Sequence, residues 1–246
     1  AFGIAGHENR NGNDGTVTRF GWKAQNKSLV IFAAEAYNVE QGITNELFPD
    51  ERGEGGAQDP ATCHQVVPAP QDTPNFAQNA AKRALDDPNN FAAFMRFLAP
   101  PAPVASYPGV TSAQIIAGEA AFTKAGCIVC HKKSMITGNH TNAALRFKTV
   151  NLFSDLLVHD VGTGDGISQG LATGAEFRTA PLWGVGKRLF FLHDGSATDL
   201  VDAINAHHGS AERVRNNFNG ASVGPDASAN LNATERQNLV FFLRSL

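Results

Sequence analysis

Cys127-Ile128-Val129-Cys130-His131 is the stretch that decides how this chain is read. Two cysteines spaced C-x-x-C and followed at once by histidine form the attachment pattern of a c-type haem. The spacing has a physical cause. The two thiols must reach two vinyl groups on one porphyrin edge, and the next residue must bring its imidazole under the iron. A helical turn beginning at Cys127 places all three side chains on one face. A redox dithiol would call for a βαβ context, and a zinc site for a second Cys/His pair of matching spacing. Neither accompanies the motif.

Outward from the motif, the flanking segments read as a small helical unit. Thr111 or Ser112 caps a helix whose apolar stripe is Ile115, Gly118 and Phe122. A last helix, from about Thr234 to Leu246, carries Leu239, Phe242, Leu243 and Leu246 on one face. Gly118 lets those two helices cross closely. Pro100, Pro101, Pro103 and Pro108 set a boundary, so the expected organisation is residues 1–104 and 105–246. In the first part, residues 28–37 and Asn89 to Leu98 read as helices, whereas residues 49–75, with five prolines, read as a long loop. The expected class is mainly α: a cytochrome c-like helical domain (105–246) with a loop-rich N-terminal extension (1–104).

His131 supplies one axial ligand of the iron, and the other must come from elsewhere in the chain. Of the two methionines, Met135 follows His131 too closely and Met95 precedes the boundary. His207 is better placed. A helix capped by Thr198 and ended by Gly209 puts Leu200, Ile204 and His207 at i, i+4 and i+7, on the face that would look into a haem pocket. His208, His159, His193 and an open site are the alternatives. His159-Asp160 and His193-Asp194 are imidazole–carboxylate neighbours, with structural histidine as the default reading. Gly162-x-Gly164-x-Gly166 lacks the spacing and context of a dinucleotide fingerprint and reads as a mobile loop. Asn9-x-Asn11-x-Asn13 fails as a calcium loop of the EF-hand kind, because Asp14 stands where glycine is needed.

Composition narrows the partners. A net charge of −3 and a pI near 6.2, without a basic run, leave no nucleic-acid footprint. No apolar stretch reaches about 18 residues, so no membrane span is expected. Covalent haem c is attached outside the bacterial cytoplasm, which implies a periplasmic or secreted protein, although residues 1–25 carry no signal-peptide pattern. Cys63 reads either as a buried apolar residue or as half of a disulfide to a segment outside this chain.

The chain resembles the di-haem c-type oxidoreductases related to the bacterial di-haem cytochrome c peroxidases and to the di-haem enzyme of methylamine utilisation. The resemblance is carried in order by Arg19-Phe20-Gly21-Trp22-Lys23-Ala24, Gly42-Ile43-Thr44, Leu47-Phe48-Pro49 and the haem motif. It continues through Ser154 to Asp160, Phe177-Arg178-Thr179-Ala180-Pro181-Leu182-Trp183-Gly184, Phe191 to Gly195 and Ala203 to His207. It implies a cytochrome c fold for 105–246. It also implies that His207 stands where relatives place the distal ligand of their second haem, a Met in the peroxidases and a Tyr in the methylamine enzyme. Trp22 falls in the segment that passes electrons between the two haems of relatives; read alone, it is equally a core aromatic. Arg178 and Trp183 are the expected haem-propionate contacts, with a solvated surface charge as the bland reading of Arg178. Glu40 lies near the position of the relatives' catalytic acid, while Phe32 replaces their glutamine.

The chain holds one C-x-x-C-H, so it looks like the C-terminal haem portion of a longer protein whose first haem domain is missing here. The expected function is a haem c electron-transfer module, iron held by His131 and His207, serving an electron donor or acceptor protein or that first haem domain. A haem peroxidase or oxidase acting at this haem, and a stand-alone monohaem carrier, are the alternatives.

Overall fold

A computed structural model describes residues 3–45, 47–50 and 86–246. Cys63 and most of the segment read as a long loop lie outside the described residues. The chain divides into two compact units, one of residues 1–25 with 100–246 and one of residues 26–99. The first 25 residues thus fold with the part that carries the haem motif rather than with residues 26–99.

In the 26–99 unit, α1 (Leu29–Gln41) starts at Ser28, whose side chain accepts from the Ile31 amide, and stops at Gly42 in the left-handed region. The second helix, α2 (Asp86–Phe97), packs on it with Phe91 edge-on to Tyr37 at 5.4 Å. Asn45 donates to the Ala34 carbonyl at 2.8 Å and ties the following turn to α1.

The other unit is built on α3 (Ser112–Ala125) and α6 (Ala233–Ser245). Both begin with a reciprocal capping box, Thr111 with Gln114 and Asn232 with Glu235, which satisfies two orphan amides at each start. The two helices cross at Gly118, where a Cβ would run into the Asn238 backbone carbonyl. Glycine is therefore required for the close approach that the stripe suggested. Phe122, Phe153 and Phe242 meet edge-to-face, with centroids 5.5–6.2 Å apart, and form the centre of the core.

Shorter helices α4 (Leu200–Asn205) and α5 (Glu212–Asn219) close the unit. Helix α4 is capped by Asp199, not Thr198, because the Asp199 carboxylate reaches the Val201 amide. Three antiparallel pairs complete it: β1 (Asn9–Arg10) with β2 (Val17–Thr18), β3 (Met135–Ile136) with β4 (Thr149–Val150), and β5 (Val158–Asp160) with β6 (Glu176–Arg178). These strands and α5 did not stand out in the sequence, since pairs of two or three residues leave no readable alternation. The backbone of His7 pairs with Val158 and adds the N-terminal segment to the edge of β5. No described helix is long and apolar enough to cross a membrane.

Candidate haem site

Helix α3 ends at Ala125 because Gly126 takes φ +99, and the chain turns at once into a short 3₁₀ turn over Cys127–Val129. Asn217, fully buried on α5, donates to the Ala125 carbonyl at 2.9 Å and fixes this exit. Cys127, Cys130 and His131 then line one cavity of about 220 Å³. The same cavity is lined by Leu200, Ile204 and His207, so the face expected of that segment is the one that meets it. His207 lies just past α4 rather than within it, held by a hydrogen bond from its amide to the Ile204 carbonyl.

The two imidazoles are prepared in the same way. His131 Nδ1 donates to the Phe153 carbonyl at 2.9 Å, and His207 Nδ1 donates to the Ala203 carbonyl at 2.7 Å. A carbonyl only accepts, so Nδ1 carries the proton in both rings and Nε2 is left with its lone pair. Burial pushes His131 down to about 4, with the nearby His207 adding to the effect, and burial lowers His207 as well. Both rings are therefore neutral near pH 7, the form that ligates a metal, with the other ring nitrogen pinned by the backbone. Two neutral imidazoles and two thiols on one apolar cavity fit a covalently held haem.

The competing chemistries fit less well. A redox dithiol needs a lowered thiol pKa, commonly from a helix N-terminus. Here burial pushes Cys127 up to about 12, and the residue follows a helix C-terminus, whose dipole opposes a thiolate. Cys130, Asp155 and His159 place ligand atoms within 4.8 Å of one another. Yet His159 sits between the other two, Nδ1 3.8 Å from Cys130 Sγ and Nε2 2.8 Å from Asp155 Oδ2. The ring bridges thiol and carboxylate instead of converging with both on one ion. The acid beside His159 is thus Asp155, not the sequence neighbour Asp160, because successive strand residues point to opposite faces.

The remaining candidates separate clearly. Trp22 lines the cavity and is 39 % exposed, with the Arg188 guanidinium 5.9 Å from its ring, so it is not a core aromatic. Arg178 also lines it, half-buried, its Nε donating to the Gly21 carbonyl at 3.0 Å, so it is not a solvated surface charge. Trp183 is off the cavity wall, its indole donating to the Asn151 carbonyl at 2.8 Å. Glu40 is exposed on the last turn of α1, and Met95 lies on α2, both in the 26–99 unit. Met135, on β3, lines a separate cavity of about 150 Å³. His208 is exposed and accepts from Arg215 at 2.6 Å. Asp165, in the glycine loop, pairs with the buried Lys23 at 3.1 Å.

Sequence reasoning missed Phe153 and Ala203, whose contributions are backbone carbonyls and leave no trace in residue type. It also missed Asn217 and the Asp155–His159 pair, whose partners come from distant segments.

No curated protein matches the chain. Among solved structures, a chain of Kuenenia stuttgartiensis hydrazine synthase is similar at 22 % identity and a TM-score of 0.40, over 65 % of this chain and 55 % of that one. The chain thus spans about half the length of that relative. The family model for "di-haem oxidoreductase, putative peroxidase" matches residues 2–246, and the chain belongs to that family.

Proposed function

We propose that the chain is a haem c electron-transfer module of a di-haem peroxidase-like oxidoreductase, with a cytochrome c-like unit and the iron held by His131 and His207. The observation that carries this reading is the matched pair of imidazoles on one cavity, each with Nδ1 spent on a backbone carbonyl and Nε2 free. Cys127 and Cys130 would hold the haem through thioether bonds, and Arg178 and Trp22 would border it. A bound haem supplies one-electron chemistry at its iron. The protein's part is to fix both ligands, keep them neutral and surround them with apolar side chains such as Phe122, Leu200 and Leu243.

The electrons would pass to or from a donor or acceptor protein or a haem domain beyond these residues, in a periplasmic or secreted setting. A low-temperature EPR spectrum of the haem-loaded protein tests the ligand set. The expected result is a low-spin signal that changes in His207→Met. Identical spectra would overturn the assignment of His207, and a high-spin wild-type spectrum would overturn the closed six-coordinate iron.

The family supports a second reading, peroxide reduction at this haem, which requires His207 to leave the iron. Steady-state peroxide turnover with an electron donor separates the two, since a closed iron gives no turnover above free haem.

A further inference from the structure

The wall of the haem cavity is electropositive and carries no carboxylate among the described residues. Arg178, Arg188 and Arg215 line it together with His131, His159, His193 and His207. Most of these polar groups are already engaged. Arg215 pairs with Glu212 and His208, Arg188 is exposed beside Trp22, and His131, His159 and His207 have hydrogen-bond partners. His193 is different. It is half-buried, and neither ring nitrogen has a hydrogen-bond partner among the described residues.

Its placement is imposed rather than loose. Leu192, immediately before it, takes φ +68, a strained conformation for a branched residue. The ring stacks on Phe177 at 4.3 Å and 27°. Phe177 is itself held by the buried Lys23 ammonium, 3.9 Å from its centroid. Arg178 follows Phe177 directly, and its Nε and Nη1 donate to the Gly21 and Thr179 carbonyls at 3.0 and 3.5 Å, with no carboxylate paired to it among the described residues. Cationic guanidinium and imidazole donors on a cavity wall whose described residues include no carboxylate suit an anionic group that enters with a ligand.

We propose that His193 donates a hydrogen bond to a carboxylate of the bound cofactor, beside Arg178, and so serves as the propionate contact that Trp183 does not provide. The inference rests on the haem reading above, since the carboxylates are those of the porphyrin.

The test uses the haem-loaded protein and its His193→Ala and His193→Gln variants. Haem content and spin state report on the haem reading, and the propionate bending band in resonance Raman reports on His193. The band is expected to shift in His193→Ala and to return towards its original position in His193→Gln, which keeps an N–H donor, with haem content and low-spin state unchanged. An unshifted band in His193→Ala overturns the contact while leaving the haem reading intact. A switch to high spin in His193→Gln would put His193 on the iron and overturn both assignments. Wild-type protein without haem would overturn the inference together with the reading beneath it.

Discussion

The carbonyl of Phe153 lies 2.9 Å from Nδ1 of His131, and Phe153 holds it there in the left-handed region, at φ +52. Such a φ is uncommon for a bulky side chain and persists only where its surroundings over-determine it. They do so here. The amides of Phe153, Ser154 and Asp155 donate to the carbonyls of Lys133, Lys132 and Cys130 at 2.8–3.2 Å, and the Phe153 ring is locked between Phe122 and Phe242. Core packing and ligand orientation are therefore one device. Phe153→Ala is expected to cost about 3–5 kcal/mol, the usual range for removing a buried aromatic ring. Urea denaturation measures it, and a loss below about 1 kcal/mol would show that the ring is not part of a tight core.

The crossing of α3 and α6 gives a prediction whose sign decides it. In an exposed helix, Gly→Ala stabilises by about 1 kcal/mol through helix propensity. At Gly118 the added methyl would meet the Asn238 carbonyl and the Phe242 side chain. Overpacking of this kind costs about 1–3 kcal/mol, so Gly118→Ala should lower the melting temperature. A raised melting temperature would mean that the helices do not touch there.

Much of this part of the fold was legible because it depends on residue type at short range. Gly118, the cap at Thr111 and the stripe ending at His207 each announce themselves within a few residues. Cys127, Cys130 and His131 did the same for the site. What stayed hidden depends on chain segments meeting from far apart. Nothing in the sequence near Ala125 says that Asn217 will bond its carbonyl, and nothing near His159 selects Asp155 over Asp160. The attachment of residues 1–25 to the haem-motif unit was equally silent, because it rests on backbone pairing of His7 with Val158 and on the burial of Lys23.

The Asp155–His159 pair makes stability depend on pH in the haem-free chain. Burial by itself would lower the His159 pKa, but the hydrogen bond that its Nε2 donates to the Asp155 carboxylate, helped by Cys130, outweighs it and carries the ring up to about 10. A folded-state pKa above the unfolded one means that the native state binds the proton more tightly. The contribution is full below about 6.5, the ordinary histidine value, and is lost as pH rises through about 10. Denaturant midpoints should therefore fall between those limits in wild type. In Asp155→Asn the fall should be largely gone. A wild-type midpoint that stays level from pH 7 to pH 10 would sink this account.

Lys23 offers the sharpest test of how the N-terminal residues are held. Its side chain is 3 % exposed, yet the ammonium meets Asp165 at 3.1 Å and the carbonyls of Thr173, Gly174 and Glu176 at 3.0–3.3 Å. A buried cation so surrounded cannot be removed neutrally. Lys23→Met keeps the apolar stem but leaves Asp165 and three carbonyls without their donor, at an expected cost of about 3–5 kcal/mol. Because Phe177 lies under the same ammonium, the loss should also loosen the segment carrying β6. Amide exchange in residues 173–178 should accelerate more than in α3 and α6. Uniform acceleration across the unit would instead assign Lys23 to global stability alone, with no special hold on the cavity wall.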